Sequence, residues 1–297
     1  MAEVDLKKIP AVDIMNYLWY CDPEERQKYF SAYEWKDVAF KTTFKGVGTV
    51  ERAMKYFGVP SLEDMLKEME EAGYEYVILT AFKQWSYVKQ VHILETPIEK
   101  IKEVVDRSGG KVIGGVSYNP LRIEESLREI DKAIKEYGFK YIYFHPEGYG
   151  IPPNDKRYYP LYAKALEYDV PVGLQTGHSA EVMPNDPGNP IYVDEPALHF
   201  PGVKFILSHT GWPWTEEWFA MIWKHPNVYG DISAYPARAL PLRERYIEIM
   251  DRVPEKILFG TNGLGLRRCK EQFMELPLSD EKKKMILYDN AKALFKL

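Results

Sequence analysis

Six histidines stand in this chain, and three of them, His145, His178 and His209, fall at or just beyond the ends of short apolar runs. An imidazole titrates near neutrality, so each is a candidate proton carrier or metal ligand. His209 closes VKFILSH and is followed by Gly211, a position from which the ring faces open space and can move a proton. Other apolar runs end on polar groups in the same way: Asn16 and Tyr17, Thr80, Tyr118 and Asn119, Glu147 behind His145, Gln175, Asp231 and Ser233, and Thr261 with Asn262. The amides of Gln175 and Asn262 and the phenol of Tyr17 are donors suited to a substrate carbonyl or a developing oxyanion. Glu147 and Asp231 form a carboxylate pair of the kind that cleaves glycosidic bonds, which stays open as an alternative. His145, Glu147 and His178 are a second open alternative, as ligands of an ion, although their spacing matches no metal motif. The plain explanation competes throughout: a lone histidine is often a satisfied core residue, and the amides and phenol are equally explained as polar groups bonded to one another.

The runs themselves repeat. AVDIMNYL (11–18), YEYVILT (74–80), KVIGGVSY (111–118), FKYIYFH (139–145), VPVGLQT (170–176), VKFILSH (203–209), NVYGDIS (227–233) and KILFGTN (256–262) read as strands. Between them lie stretches with apolar residues at helical spacing, the pattern of βα units and a parallel sheet. Ser61 with Asp64 opens one helix as a capping box that Gly73 closes. Thr96 before Pro97 is an expected N-cap with proline at the first helical position, and LRIEESLREIDKAIKEYG ends on Gly138. Eight strands close a barrel, so the expected architecture is α/β, one (β/α)8 TIM-barrel domain over residues 1–297. In such a barrel the C-terminal strand ends converge on one face, which brings the polar residues above together. Residues 19–60 do not fit a simple βα connection and read as an insertion after the first strand that forms part of the active-site rim. A second long connection, SAEVMPNDPGNP (179–190), follows the fifth strand. Aromatic residues crowd these loops. Trp19, Trp85, Trp212, Trp214 and Tyr235 are expected to wall a flat substrate, or else to pack the insertion on the barrel.

Composition limits the partners. The 297 residues are 45% hydrophobic and 28% charged with a net charge of −5, enough for a large core and without a basic face for nucleic acid. No apolar run reaches the roughly 18 residues of a membrane span, and MAEVDLKKIPAVDIM lacks the long apolar stretch of a signal peptide, so a cytoplasmic location is expected. Cys21 and Cys269 are too few for a disulfide framework and read as small buried hydrophobes. Arg238 follows the seventh strand and Arg267 and Arg268 the eighth, where barrels often hold an anionic group; helix-surface charge is the plain alternative. A carboxylate or phosphate on the substrate fits these positions; the expected ligand is a small planar or aromatic compound with a carboxylate, and Arg238 is the candidate contact.

The run HFPGVKFILSHTGWPWTEEWFAMIWKHPNVYGDISAYPAR, followed by ILFGTN, resembles the amidohydrolase-related family that includes the amino-carboxymuconate semialdehyde and resorcylate decarboxylase types. GFKYIYFHPEGYGIPPNDKRYYPLYAKALEYDVPVGLQTGHS and KIPAVDIMNY are similar to earlier parts of the same family, so the likeness spans nearly the whole chain. It implies a hydrolase or a decarboxylase-like lyase. It also implies one divalent metal held by a His-x-His pair on the first strand, a His ending the fifth and an Asp ending the eighth, with a His ending the sixth as acid or base. On this chain the ligand positions are Met15, Tyr17, Gln175 and Asn262, and the acid/base position is His209. Met sulfur, a phenol and two neutral amides do not hold a hard or borderline divalent ion. The expectation is a catalyst with no metal and no cofactor, in which His209 moves the proton and Tyr17, Gln175 and Asn262 polarise the substrate. A barrel that has lost the reaction and only binds small molecules is the alternative from another class. Relatives of such a fold are often dimers, so a homodimer is one assembly left open.

Overall fold

The computed structural model describes residues 4–297; of the expected domain 1–297, the first three residues lie outside the described part. Ten strands form: β1 Ala11–Tyr17, β2 Tyr74–Ala81, β3 Lys83–Trp85, β4 His92–Glu95, β5 Val112–Ser117, β6 Tyr141–Phe144, β7 Val172–Gln175, β8 Phe205–Ser208, β9 Val228–Asp231 and β10 Ile257–Leu258. Eight make one sheet in the order β1-β2-β5-β6-β7-β8-β9-β10, every pairing parallel. The sheet closes on itself through Ile14 N–H to the Phe259 carbonyl (3.1 Å) and Asn262 N–H to the Met15 carbonyl (2.8 Å). All eight expected strands are present, and the fold is a (β/α)8 barrel. The antiparallel pair β3 and β4 was not expected; it extends the connection after β2 over the barrel rim.

Parallel strands buried on both faces need continuous apolar sequence, and β6 (YIYF) and β8 (FILS) are buried at every position. The surrounding helices bury one stripe each. Ile98–Arg107 turns Ile98, Ile101 and Val104 inward, each contributing roughly 1.5–3 kcal/mol of burial. Inside the barrel the large tyrosines of β6 need room: a Cβ on Gly173 of β7 would lie 1.7 Å from the Tyr141 hydroxyl, so only glycine fits there. Both cysteines are buried, and burial pushes their thiols up to about 12.

The capping box at Ser61 forms as expected: its hydroxyl accepts from Asp64 N–H at 3.1 Å, and Gly73 ends the helix at φ 69°. Two boundaries differ. Thr96 does not cap the next helix; Pro97 occupies the cap, because the Thr96 hydroxyl is turned toward Glu25 of the insertion at 3.2 Å. The helix from Ile123 stops at Lys135, before Gly138, which takes φ 71° in the turn beyond. Among the described residues no helix is long and apolar enough to cross a membrane.

Candidate active site

A cavity of about 360 Å³ opens at the C-terminal ends of the barrel strands. Tyr17, His145, Gln175, His209 and Asn262 form its floor and sides, and the 19–60 segment closes over it with Trp19, Tyr29, Phe30, Trp35, Phe44 and Phe57. These rings support one another. Trp19 stacks between Tyr17 (5.6 Å, 22°) and Tyr29 (5.7 Å, 17°), and Phe30 stacks on Phe57 (5.0 Å). Trp19 reaches this position because Gly263 has no side chain: a Cβ there would meet the indole at 2.1 Å.

His209 follows β8, and its orientation is fixed from behind. Its Nδ1 lies 2.6 Å from the Ser233 hydroxyl, and that hydroxyl donates to Asp231 Oδ1. Since the serine proton is committed to the carboxylate, the serine oxygen accepts, so Nδ1 carries the imidazole hydrogen and the Nε2 lone pair is left for the cavity. Asp231 Oδ1 also accepts the backbone N–H of His209 (3.2 Å) and of Ser233 (2.8 Å), which ties both residues to one anchor. Burial lowers the His209 pKa below the usual 6.5, outweighing the opposing pull of Asp231 and Glu181. The ring is therefore neutral at neutral pH and disposed to act as a base.

Three of the strand ends carry side-chain-bearing residues in the left-handed region: His209 (φ 70°) and Thr210 (φ 65°) after β8, Ala234 (φ 67°) after β9 and Asn262 (φ 51°) after β10. Each such residue costs of order 1–3 kcal/mol, and strain of this kind is kept where a side chain must be aimed. His209, Ala234 and Asn262 all line the cavity. Gln175 accepts from the Tyr143 hydroxyl at 3.4 Å through Oε1, which leaves its amide hydrogens for the cavity. Burial raises the Tyr17 phenol well above its usual pKa, so it is a donor at any working pH.

On the wall facing β6, Glu181 of the 179–190 connection accepts from Tyr29 (2.9 Å) and Gln84 (2.9 Å) at Oε1 and from Ser179 (2.8 Å) at Oε2. Burial, the largest influence, raises its pKa, while His145 when protonated and the three donors lower it, and the balance falls below the usual glutamate range; at neutral pH the three donors are what hold the charge. It is an ionised carboxylate on the cavity wall. His145 beside it is lowered to about 4, by burial first and by His209, against the pull of Glu181. Behind His145, Glu147 is fully buried with neither carboxyl oxygen hydrogen-bonded, and burial raises it well above 4.5, so it is a neutral acid.

Of the fourteen residues expected from the sequence, nine line the cavity: Tyr17, Trp19, His145, Gln175, His178, His209, Trp212, Tyr235 and Asn262. Five do not. Trp85 lies on β3, stacked on Tyr149 at 6.1 Å; Trp214 precedes the helix Thr215–Lys224. Glu147 and Asp231 are buried behind the wall, so the glycosidase arrangement, which needs two carboxylates facing a substrate, is not formed. Arg238 pairs with Glu275 (2.6 Å) on the exposed surface, Arg267 with Glu271 (2.8 Å), and Arg268 reaches the Leu264 carbonyl and lies over the Tyr56 ring, so none of the three anchors a ligand in the cavity. Sequence reading missed Gln84 and Glu181, which sit on an unforeseen hairpin and inside a loop, and the aromatic side chains of the insertion. The run of aromatic residues between Trp19 and Phe57 was the available signal for the last of these.

The four positions that the family resemblance marks as metal ligands, and that are expected to hold no ion here, do not form a ligand cluster. Met15 is fully buried and does not line the cavity, and the pairing of β1 with β2 shifts register between Asp13 and Asn16. Tyr17, Gln175 and Asn262 do share the cavity, but they supply neutral oxygen and amide groups only. Among the described residues no three His, Cys, Asp or Glu side chains are grouped so as to hold an ion, the trio His145, Glu147 and His178 included. The donor set does not fit a divalent metal.

No curated protein sequence matches this chain. Among solved structures, an uncharacterised TIM-barrel protein from Bordetella bronchiseptica is similar over 97% of this chain and 99% of its own at 21% identity, with a TM-score of 0.75. A 2,6-dihydroxybenzoate decarboxylase from Rhizobium is similar over 97% and 99% at 15% identity (TM-score 0.65). A 5-carboxyvanillate decarboxylase from Sphingomonas paucimobilis is similar over 98% and 99% at 12% identity (TM-score 0.64). These likenesses carry the fold. The family model for amidohydrolases matches residues 63–297, most of the chain and all the barrel after its first strand, and the chain belongs to the amidohydrolase family of enzymes.

Proposed function

We propose that this chain is a metal-independent member of its family that hydrolyses a small planar carbonyl compound, with His209 as general base. The observation that carries this reading is the Asp231–Ser233–His209 relay, which leaves a neutral imidazole nitrogen aimed into a closed aromatic cavity. Nε2 takes a proton from water as the water oxygen bonds to the carbonyl carbon. The carbonyl oxygen gains negative charge, and Tyr17, Gln175 and Asn262 on the same cavity stabilise it by hydrogen bonds, each worth about 2.7–4 kcal/mol where such donors have been removed from enzymes. The imidazolium then returns its proton to the leaving group as the bond to the carbonyl carbon breaks.

A decarboxylase-like lyase is the second reading, favoured by the decarboxylases among the similar structures. Loss of carbon dioxide leaves a carbanion that must be protonated, and that asks for an imidazolium. The lowered His209 pKa favours the base role instead. The test is a panel of aromatic esters, lactones, β-diketones and ring carboxylic acids with purified, chelator-treated protein. Turnover of a carbonyl compound that falls by about 10²–10⁴ in His209→Gln supports the reading. Carbon dioxide release from a ring acid, or turnover that returns only with added metal, overturns it.

A further inference from the structure

Among the described residues the cavity wall carries no lysine or arginine, and its one carboxylate is Glu181. Three donors fix that carboxylate, Tyr29 and Gln84 on the cavity wall and Ser179 behind it, so it cannot swing away from a ligand without breaking three hydrogen bonds. The rest of the wall is aromatic. Trp19, Tyr29, Phe30, Trp35, Trp212 and Tyr235 present ring faces and edges around the same space. Ring faces attract cations and an adjacent carboxylate does the same, while an enclosed anion would meet Glu181 with no cation to offset it. A buried anionic ligand without a partner charge is strongly disfavoured.

From this composition we infer that the cavity takes a flat ligand bearing positive charge, such as an amine or amidine, toward Glu181, takes neutral analogues less well, and rejects aromatic carboxylates. This departs from the carboxylate substrates named for the decarboxylases of the same fold. His145 and His209, both lowered by burial, add no counter-charge at neutral pH, and the third imidazole of the wall, His178, packs edge-on against Trp212 at 5.7 Å. The inference deepens the proposed function, because it rests on this cavity being the substrate site and names the charge class of what enters it.

The test uses three ring compounds of nearly equal shape: benzamidine, benzamide and benzoate. Binding to the purified full chain is followed by quenching of the tryptophan fluorescence of Trp19, Trp35 and Trp212, which line the cavity, and by calorimetry at neutral pH. Benzamidine should bind at least about tenfold tighter than benzamide, and benzoate at least about tenfold weaker. In Glu181→Gln, which keeps the shape and most of the hydrogen bonds, the spread between benzamidine and benzoate should collapse. Benzoate binding as well as benzamide, benzamidine no tighter than benzamide, or an unchanged order in Glu181→Gln each overturns the inference. His209→Gln separates it from the proposed function. The charge order persisting there, with no carbonyl compound turned over by the wild type, would leave the inference standing and the hydrolase reading refuted; His209-dependent turnover of a compound with benzoate preferred would do the reverse.

Discussion

Replacing Asp231 with asparagine isolates the electrostatic part of the relay from its geometry. Oδ1 accepts three donors, the backbone N–H groups of His209 and Ser233 and the Ser233 hydroxyl. An asparagine must keep its carbonyl oxygen there, since its NH2 would otherwise face two N–H groups. The hydrogen bonds and the Nδ1–H tautomer are thus retained while one negative charge is lost. Two hydrogen-bond lengths put that charge about 5 Å from the imidazole. With an effective dielectric constant of about 20, 332/(20 × 5) is about 3 kcal/mol, or roughly two pH units. Asp231 favours the imidazolium, so its loss moves the His209 pKa further down from a value already below 6.5. Side-chain nitrogen shifts of labelled histidine, with His209→Gln used to assign the resonance among the six histidines, report the titration and the tautomer without needing the substrate. We expect the His209 inflection to fall by about two pH units with the tautomer unchanged. Ser233→Ala, by contrast, should release the tautomer. A His209 that titrates at the same or higher pH in Asp231→Asn would refute the relay.

Glu147 offers a stability test with an opposite sign. Its folded pKa lies well above 4.5 because burial penalises the charge. The stability it allows is therefore complete below 4.5 and is lost as pH rises, because the unfolded carboxyl ionises while the folded one holds its proton. Glutamine does not titrate, so Glu147→Gln should gain on the wild type as pH rises above 4.5 in urea unfolding, by up to about 1.4 kcal/mol per pH unit for as long as the folded carboxyl keeps its proton; parallel pH profiles would contradict the assignment. Elemental analysis of purified protein should find less than about a tenth of an equivalent of zinc, manganese or iron, and near-stoichiometric metal would end the metal-independent reading. Gly263→Ala should cost roughly 1–3 kcal/mol and weaken ligand binding, because its Cβ meets Trp19 at 2.1 Å at a backbone φ of 72°; unchanged affinity would show that Trp19 does not shape the cavity.

The barrel was legible because its signal is local and repeated. Each strand is a short β-branched or aromatic run, and helices such as Leu62–Ala72 announce both ends through Ser61 and Gly73. The convergence of Tyr17, Gln175, His209 and Asn262 followed from topology, since parallel strands of a closed sheet end on one face. What the sequence hid were features set by contacts distant along the chain. Glu181 looks like one acidic residue in a proline-rich loop until Tyr29 and Gln84, 152 and 97 residues away, are seen to grip it. Met15 looks equivalent to Tyr17 until Tyr17 is found on the cavity wall and Met15 buried away from it. Asp231 looked like a substrate contact because it ends a strand; its three inward hydrogen bonds make it the anchor of His209.

These placements suggest how a pocket can exchange one kind of electrostatics for another. A divalent ion stabilises an oxyanion strongly and also attracts anionic substrates, so metal chemistry and carboxylate substrates go together. Take the ion away and keep only neutral donors such as Tyr17, Gln175 and Asn262, and both properties weaken at once. The carbonyl must then be activated by orientation and by hydrogen bonds in an aromatic-walled cavity, and nothing remains to offset the charge of a carboxylate. An ionised Glu181 on the wall is consistent with that exchange, because in a pocket built around a metal and an anionic ligand it would compete with the ligand for the metal. Substrate charge and metal dependence are therefore coupled: tight binding of aromatic carboxylates by this chain would require a cation that Tyr17, Gln175 and Asn262 do not supply.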